Sequence, residues 1–363
     1  MARTSCDVFA TVLAAVGCGV LATGALGATF QTVPLGSGSI TRLSSDGTTA
    51  VGYATQGGTH GLYWRTGQPS VVSLPAITGL SVSVARGVSA NGRYVGGSAN
   101  VPSGTPLAAA FRFDTLTNTM VTSTPDRVTF AYGLSGDGQQ VLGAHEDAGN
   151  IDCASWLPGQ GWLYHGLVPD TIFNFTVDSN YDASLVAGYA YDPIGNKRAF
   201  CWDMAGGLRL MPTFVPFEAG EVADVSNDGT VLLGGLQGLP VRWNGPNGAP
   251  QYIPAAKGAA RAMNADASII AGGPSSSTNN DAFIWDAAHG TRSFYDFAAS
   301  EGVNVTGLNF VNVTGISEDG LVFAGNLTQG GVKRGFILSL AIPAPGAIAV
   351  APVVLVGALR RRR

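Results

Sequence analysis

The chain has 363 residues, of which 45% are hydrophobic and only 12% are charged, and its formal net charge is −4 at pH 7. Without the two terminal segments described below, 15 basic residues stand against 23 acidic ones, a net charge of −8. This balance excludes nucleic acid and anionic lipid as partners matched by charge. The 51 glycines and the low charge predict many short strands joined by tight turns.

The N-terminal segment is typical of a secretory signal peptide. Arg3 supplies a short basic region, an apolar run covers residues 8–21, and small residues suit cleavage after Gly27. We therefore predict that residues 1–27 are a signal peptide and that the chain is secreted through the inner membrane. A buried N-terminal helix and a lipoprotein signal ending at Cys18 are the alternatives.

One turn pattern recurs seven times between the two ends. Each copy has an Asp or Asn followed six residues later by a Gly: Asp46/Gly52, Asn91/Gly97, Asp137/Gly143, Asp182/Gly188, Asp228/Gly234, Asp266/Gly272 and Asp319/Gly325. The intervals between copies are 45, 46, 45, 46, 38 and 53 residues. The Asp-Gly or Asn-Gly pair predicts the positive-φ residues of a two-residue hairpin turn. The later Gly predicts a place where the second strand bends or closely approaches a neighbour.

Each copy continues with two further predicted strands. About 20 residues after the turn comes an aromatic strand, such as LYWR at 62–65 or AFIW at 282–285, and a short last strand often ends near a proline. One such sheet cannot bury both faces alone, so neighbouring copies must stack, with the Trp and Phe residues between them. The pattern predicts an all-β, seven-bladed β-propeller built from ~45-residue four-stranded repeats. The uneven last intervals leave six blades as the alternative.

The N-terminal stretch of the predicted propeller offers a way to close the ring. The seventh copy ends at GFILSLAIP without a fourth strand, while ATFQTVPLG at 28–36 precedes the first turn as an unpaired strand. Pairing of this stretch with blade seven would leave no exposed sheet edge. We therefore predict one propeller domain over residues 28–341, closed by its N-terminal strand.

The repeated motif resembles a known family. The pattern G-x-S-x-D-G, then V-x-G, then A-F-x-W, as at Ala199–Trp202 and Ala282–Trp285, is similar to the HAF repeat of bacterial extracellular proteins. The resemblance covers roughly residues 40–340, and the fifth copy departs from it with PVRW at 240–243. It implies secretion and a repeat fold, and it brings no catalytic residues.

The C-terminal segment, residues 342–363, predicts a sorting signal. It contains a Pro-x-Pro motif, an apolar stretch and an arginine cluster, made by Pro343, Pro345, Arg360, Arg361, Arg362 and Arg363. About 14 apolar residues reach only ~21 Å as a helix, short of a ~30 Å hydrocarbon core. The segment resembles the PEP-CTERM signal, without its usual Glu. The resemblance implies transient insertion in the inner membrane, cleavage by an exosortase-like enzyme, and delivery to the cell surface. A permanent short anchor is the alternative.

The turns contain candidates for two kinds of ligand site. A phosphate loop at Gly136 and Gly138 is excluded, because a strand rather than a helix follows and the pattern occurs seven times. Asp178, Asn180 and Asp182 stand at alternate positions, as calcium ligands do, and calcium is the one cofactor for which the sequence has candidates. We favour the alternative that these side chains cap their own turn.

Three other groups of residues differ between the copies: His145, Glu146 and Asp147; Glu218, Glu221 and Asp224; and Trp162 and Tyr164. None has the spacing of a known catalytic motif, so no catalytic residue is predicted. We expect a non-catalytic envelope or extracellular-matrix protein that binds an exopolysaccharide or surface protein through variable loops. The alternative is a propeller hydrolase or lyase acting on extracellular polysaccharide. Acidic residues converging at the channel mouth would favour the enzyme, and a channel of Ser, Val and Gly would favour the scaffold.

Overall fold

The computed structural model describes residues 27–100, 108–125, 129–147, 150–254, 256, 258–274 and 279–340. Residues 27–341 form one compact unit. The predicted signal peptide up to residue 26 and the predicted sorting segment, with Pro343, Pro345 and the four terminal arginines, lie outside the described residues. Within the described ranges, no helix is long and apolar enough to cross a membrane.

The described residues form 28 strands and one short helix, which we group into units by the repeated turn. Strand β1 (Thr29–Pro34) precedes the first unit. Unit one contains β2 (Ser39–Leu43), β3 (Thr49–Ala54), β4 (His60–Arg65) and β5 (Val72–Ser73). Unit two contains β6 (Val82–Val88), β7 (Tyr94–Asn100), β8 (Ala108–Asp114) and β9 (Thr119–Thr122). Unit three contains β10 (Thr129–Leu134), β11 (Val141–Asp147), β12 (Asn150–Leu157) and β13 (Gly161–Gly166).

The remaining units follow the same order. Unit four contains β14 (Phe173–Ser179), β15 (Leu185–Tyr191), β16 (Lys197–Asp203) and β17 (Gly207–Leu210). Unit five contains β18 (Gly220–Val225), β19 (Val231–Leu236), β20 (Leu239–Asn244) and β21 (Pro250–Tyr252). Unit six contains β22 (Ala259–Met263), β23 (Ile269–Gly273), β24 (Phe283–Asp286), β25 (Gly290–Ser293) and then α1 (Phe294–Ser300). Unit seven contains β26 (Leu308–Ile316), β27 (Val322–Gln329) and β28 (Val332–Ser339).

The strands of each unit pair antiparallel in chain order, so the all-β prediction is confirmed. Units three and four are joined into one eight-stranded sheet by a single parallel pair, Ile151 with Phe173. Strand β1 pairs antiparallel with β28, from Thr29 opposite Ser339 to Pro34 opposite Arg334. The sheet of unit seven therefore takes its fourth strand from the start of the domain.

The repeated turn has a different structure from the predicted one. Five residues, Ser44 to Thr48, connect β2 and β3, and positive φ occurs at Gly47 and not at Asp46. The Ser44 hydroxyl donates to Asp46 at 2.6 Å and accepts from the Thr49 N–H at 3.0 Å, while Asp46 accepts from the Thr48 N–H at 2.9 Å. The prediction of a two-residue turn is thus wrong. The loop is longer, and hydrogen bonds from the Ser and Asp side chains close it, which explains why a Ser recurs two positions before the Asp.

The other six turns repeat this arrangement. A Ser hydroxyl donates to the turn Asp or Asn two residues later at Asn91, Asp137, Asp228 and Asp319. At Asp182 and Asp266 an Asn replaces the Ser, and the residue after the Asp is Ala183 or Ala267, each with positive φ. In all seven units, therefore, the residue after the turn Asp or Asn carries the left-handed backbone.

The repeated glycines lie opposite a β-bulge. In every unit the first strand contains an extra residue, and the repeated Gly of the second strand pairs just before it; β26 of unit seven has a second extra residue, Val311. A Cβ on this Gly would overlap a carbonyl oxygen of the first strand in all seven units: Gly52 with Ser39, Gly97 with Val84, Gly143 with Phe130, Gly188 with Phe175, Gly234 with Glu221, Gly272 with Ala259 and Gly325 with Asn312.

These seven glycines are needed for space rather than for an unusual backbone angle. None of them has a positive φ, so the strand does not require Gly in order to bend at this point. Of the two roles expected for the repeated Gly, the structure shows the close approach, and the partner is the backbone at the bulge. A bulge changes the direction in which a side chain points. The bulge beside each repeated Gly therefore redirects one side chain in each unit.

The aromatic third strands lie between units, as the sequence predicted. Trp64 and Trp243 are fully buried, and Phe283 of unit six packs in a cluster with Leu233 of unit five. Cys153 and Cys201 are both buried and free. Burial raises the pKa of the Cys201 thiol to about 11, so this cysteine is a small packing residue here.

Candidate functional site

The seven bulged residues line one central cavity of about 340 Å³. Each stands five positions before the Asp or Asn of the repeated turn: Thr41, Arg86, Tyr132, Val177, Ala223, Arg261 and Thr314. Tyr53, Tyr189 and Glu221 complete the chemically distinctive lining. The repeat therefore places equivalent backbone positions around a channel, and the copies differ in the side chain that each presents.

One side of this channel mouth concentrates charge and hydroxyl groups. The Arg86 guanidinium lies over the Tyr132 ring, 4.9 Å from its centre, and the Tyr132 and Tyr189 rings are 6.4 Å apart edge to face. Burial, followed by the neighbouring Tyr132 hydroxyl, raises the pKa of Tyr189 well above its ordinary value. The Tyr189 hydroxyl therefore holds its proton more firmly than a free tyrosine does, and it can act as a hydrogen-bond donor.

Glu221 lies beside these tyrosines with two cations near it. Lys197 Nζ is 2.7 Å from Glu221 Oε2 and 4.2 Å from the centre of the Tyr189 ring. Burial lowers the pKa of Arg261, while the charge of Glu221 acts in the opposite direction. Together with Arg86, three cations and one carboxylate at a concave mouth form a local positive field on a chain whose overall charge is negative.

Below the mouth, a buried ion triad connects units one, four and five. Arg42 Nη1 is 2.7 Å from Asp224 Oδ1, and Arg42 Nη2 is 3.3 Å from Asp178 Oδ1. The second oxygen of Asp178 accepts the Val225 N–H at 2.8 Å, and the second oxygen of Asp224 accepts the Met263 N–H at 3.1 Å. Arg42 contributes to the lining of the mouth cavity and of a smaller cavity of about 80 Å³. The triad thus stands between the two cavities and uses its carboxylates structurally.

The charges of the triad depend on one another. Burial, and next the Asp178 charge, raises the pKa of Asp224 well above its usual range, although Arg42 acts to lower it. Burial opposes the charge of Arg42, but Asp178 and Asp224 outweigh this effect and raise the pKa of Arg42. Four units have Gly or Ala at the position equivalent to Arg42, at Gly87, Gly133, Ala262 and Gly315, which leaves room for one long side chain to cross the channel.

The calcium candidates are separated by the fold. Asp178 binds Arg42, whereas the side-chain oxygen of Asn180 accepts the Leu185 N–H at 2.9 Å and Asp182 accepts the Ser184 N–H at 3.0 Å. Asp178 lies in β14, directly after the bulged Val177 and opposite Ala187, whereas the other two residues belong to the turn that follows this strand. In the described ranges no group of three or more His, Cys, Asp or Glu side chains is placed to hold a metal ion.

The other residues singled out from the sequence divide between the channel and the periphery. Glu221 and Asp224 reach the channel, while Glu218 accepts the Phe214 N–H at 3.0 Å. His145 stacks on Trp162, with ring centres 4.4 Å apart, and its Nδ1 lies 2.8 Å from the Tyr164 hydroxyl.

Sequence reasoning missed four residues of the mouth: Arg86, Arg261, Tyr132 and Tyr189. Counting five residues back from each turn Asp or Asn would have found the first three, because that position is the bulged one in every unit. Tyr189 directly follows a repeated Gly, as Tyr53 does, so the residue after that Gly is a second repeat position that reaches the mouth.

Comparison with known proteins places the fold. No family model and no curated protein sequence matches this chain. An oligogalacturonate lyase solved in complex with manganese is similar at a TM-score of 0.54 and 12% identity, over 87% of this chain and 97% of that one. A prolyl endopeptidase structure is similar at 0.52 and 10%, over 85% and 51% respectively. TolB from Acinetobacter baumannii gives 0.44 and 10%, over 87% and 64%. This chain is a β-propeller.

This chain covers 64% of the TolB chain and 51% of the endopeptidase chain. The comparisons also correct the expectation of a non-catalytic scaffold, because the similar propellers include a lyase and an endopeptidase. The lining of the mouth matches neither pattern expected from the sequence, because it holds one acidic residue rather than several. A scaffold was expected to line the channel with Ser, Val and Gly, whereas arginines, tyrosines and a glutamate gather on one side of its mouth. The described residues contain no ligand set that fits the manganese of the lyase structure.

Proposed function

We propose that this propeller is a lyase acting on an extracellular polysaccharide that carries carboxylate groups. The observation that carries the proposal is the convergence of Arg86, Arg261, Tyr189 and Glu221 at one mouth of the channel. Arginine guanidinium groups bind carboxylates through paired hydrogen bonds. A uronate ring is a sugar with such a carboxylate next to C5, whose hydrogen becomes acidic when the carboxylate charge is neutralised.

The side chains at the mouth match the parts of a β-elimination. Arg86 and Arg261 hold the carboxylate and stabilise the negative charge that develops on it. Glu221 takes the proton from C5, a double bond forms between C4 and C5, and the bond between C4 and the glycosidic oxygen breaks. Tyr189, which lines the mouth, hydrogen-bonds to the departing oxygen and gives it a proton as the bond to C4 breaks. The products are an unsaturated uronate and a new hydroxyl end, with no further reactant.

Hydrolysis fits the same mouth less well. A glycosidase needs two carboxyl groups facing each other across the scissile bond. Among the described lining residues of the mouth cavity, Glu221 is the acidic side chain, while Asp178 and Asp224 line the smaller cavity instead. Elimination uses one base and one acid of different types, which is what the mouth presents.

The proposal predicts that Glu221→Gln lowers kcat on a susceptible polyuronate about 50- to 100-fold, because the base is lost while the shape is retained. The measurement is the ultraviolet absorbance of the new double bond, conjugated with the carboxylate, after screening polyuronates with the purified protein. Glu318→Gln, on the cavity at the other end of the channel, is the matched control and should leave the rate unchanged. Equal rates for wild type and Glu221→Gln would contradict the assignment, as would saturated products.

We further propose that the propeller has seven blades and a closed ring. Backbone hydrogen bonds link the turns of units one to five and of units six and seven, and another runs from the Glu318 N–H of unit seven to the Ser45 carbonyl of unit one at 2.7 Å. The Asn326 side chain also bridges these units, since it accepts the Ile40 N–H at 2.8 Å and donates to the Ile40 carbonyl at 2.9 Å. The pairing of β1 with β28 supports the same closure.

Closure predicts that Asn326→Ala lowers the free energy of unfolding by about 1–3 kcal/mol, because the buried Ile40 N–H loses its acceptor. Urea denaturation would measure the change. The variant Asn326→Asp keeps the acceptor for the Ile40 N–H but turns a carboxylate oxygen toward the Ile40 carbonyl and Asn312 Oδ1, so it should not restore wild-type stability. Unchanged stability of Asn326→Ala would contradict a fastening between the first and seventh units.

The two ends support a proposal about location. We propose secretion through the inner membrane, processing by an exosortase-like enzyme, and residence at the cell surface, on the basis of the terminal sequence patterns alone. This location would give the channel access to extracellular polysaccharide, and the remaining binding partners would be surface components of the same kind.

A further inference from the structure

A second cavity of about 400 Å³ adjoins the channel mouth over units five and six. It shares Glu221 and Arg261 with the mouth cavity, so the two spaces meet at these residues. Backbone forms much of its lining, because many of its residues are small: Ala219, Gly220, Gly235, Gly238, Gly258 and Ala259. Each cavity alone has the size of a small-molecule pocket, ~300–1,000 Å³, and together they form one continuous path.

The inner end of this path is closed and its outer end reaches the rim. The triad of Arg42, Asp178 and Asp224 stands below the mouth cavity and blocks passage along the channel. Gln237 and Gly238, in the exposed turn between β19 and β20, mark the rim end of the second cavity. A long chain therefore cannot thread through the channel, and its continuation must leave sideways over units five and six.

The charges along the path fit an anionic occupant. Lys197 and Arg261 line the second cavity close to its junction with the mouth, and Lys197 neutralises Glu221 at 2.7 Å. Apart from Glu221, the lining residues of the second cavity are neutral or basic. Repeated carboxylates along a glycan chain would meet this field in succession, while a neutral glycan would gain nothing from it.

We propose that the mouth takes the end of an anionic glycan chain and that the second cavity binds the sugar residues that follow. This proposal rests on the proposed function for the identity of the chain. It assigns a binding subsite to Gln237, Gly235, Ala259 and Lys197, none of which takes part in the elimination steps. Binding should strengthen as the chain lengthens until the second cavity is filled, and longer chains should add nothing more.

The test places opposite charges at the rim end of the subsite. Gln237 is exposed and has φ +51°, a conformation that straight-chain Glu and Lys tolerate as Gln does. With a size series of galacturonate oligomers in calorimetric titration, Gln237→Glu should weaken binding of the longer oligomers about three- to tenfold. Gln237→Lys should strengthen it by a similar factor. Both variants should leave the dimer unchanged, and both effects should shrink as salt is added.

Gln56→Glu is the matched control, because Gln56 is exposed in the equivalent turn of unit one and outside the second cavity. It carries the same change in net charge and should behave as wild type. The subsite alone would be overturned if the Gln237 variants changed the affinity for the dimer as much as the affinity for longer oligomers. It would also be overturned if Gln56→Glu changed these affinities as much as Gln237→Glu does. If the wild-type protein binds no uronate oligomer of any length, the proposed function and the subsite are both overturned.

Discussion

Replacement of Arg42 by alanine is expected to lower the free energy of unfolding by about 3–5 kcal/mol at pH 7, the range for breaking a buried ion pair. Arg42 neutralises Asp178 and Asp224 at the centre of the propeller, where both carboxylates are largely removed from water. The alanine variant leaves the two carboxylates facing each other without a counterion, so they must share a buried site in which a second negative charge is strongly disfavoured. Urea denaturation at pH 7 would measure the loss.

The loss should become smaller as the pH falls. The pKa of Asp224 is already raised in the folded protein, mainly by burial and by Asp178, and removal of Arg42 takes away the group that lowers it. The folded state then binds more protons than the unfolded state between the unfolded and folded pKa values. Stability from this group is therefore present at low pH and is lost as the pH rises through the folded pKa.

Arg93→Ala provides the control for the Arg42 experiment. Arg93 pairs with Asp114 at 2.7 Å, but its side chain is 39% exposed, so a much smaller loss of stability is expected. Arg93 is also the main cause of the lowered pKa of Asp114, so this pair loses stability as the pH falls, the opposite direction. Equal losses for Arg42→Ala and Arg93→Ala, or an Arg42→Ala loss that does not depend on pH, would contradict the role of the triad.

Gly234→Ala is expected to destabilise the protein by about 3 kcal/mol, because its new Cβ would overlap the Glu221 carbonyl oxygen at the bulge. The neighbouring Gly235 is a matched control on the same strand. A Cβ there meets the Ala259 Cβ at 3.4 Å, which is ordinary contact. Gly235→Ala should therefore change stability by less than about 1 kcal/mol, since alanine also restricts the unfolded chain.

The comparison of these two glycines tests the physical reason for the repeat. If both alanine variants are equally stable, the repeated Gly is not required by the bulge. If Gly234→Ala is destabilised as expected, its effect should extend to activity, because Glu221 and the bulged Ala223 belong to the mouth lining. Gly235→Ala should retain the wild-type rate on a uronate dimer, which does not reach the second cavity.

Several features could be predicted from the sequence because they depend on short-range interactions. The Ser44–Asp46 hydrogen bond and the positive φ of Gly47 act within six residues, so their signature repeats visibly along the chain. Alternating and aromatic strands indicate the all-β class for the same reason. The prediction of a two-residue turn was wrong for an equally local reason: the Ser and Asp side chains replace backbone hydrogen bonds that a shorter loop would make.

The site could not be predicted in this way, because its members are far apart in the sequence. Arg86, Tyr132 and Arg261 belong to units two, three and six, and each occupies a position that elsewhere holds Thr, Val or Ala. The repeat shows that these residues occupy equivalent positions. They come close together only when the sheets surround a channel and the bulge of each unit turns one residue inward. Likewise, the pKa shifts of Tyr189 and Asp224 depend on burial and on charges from other units.

The sequence alone determined the repeating unit and its turns, because these depend on local hydrogen bonds and backbone angles. Only the tertiary structure decided which variable residues meet, because burial and long-range charge exist only once the sheets are assembled around the channel.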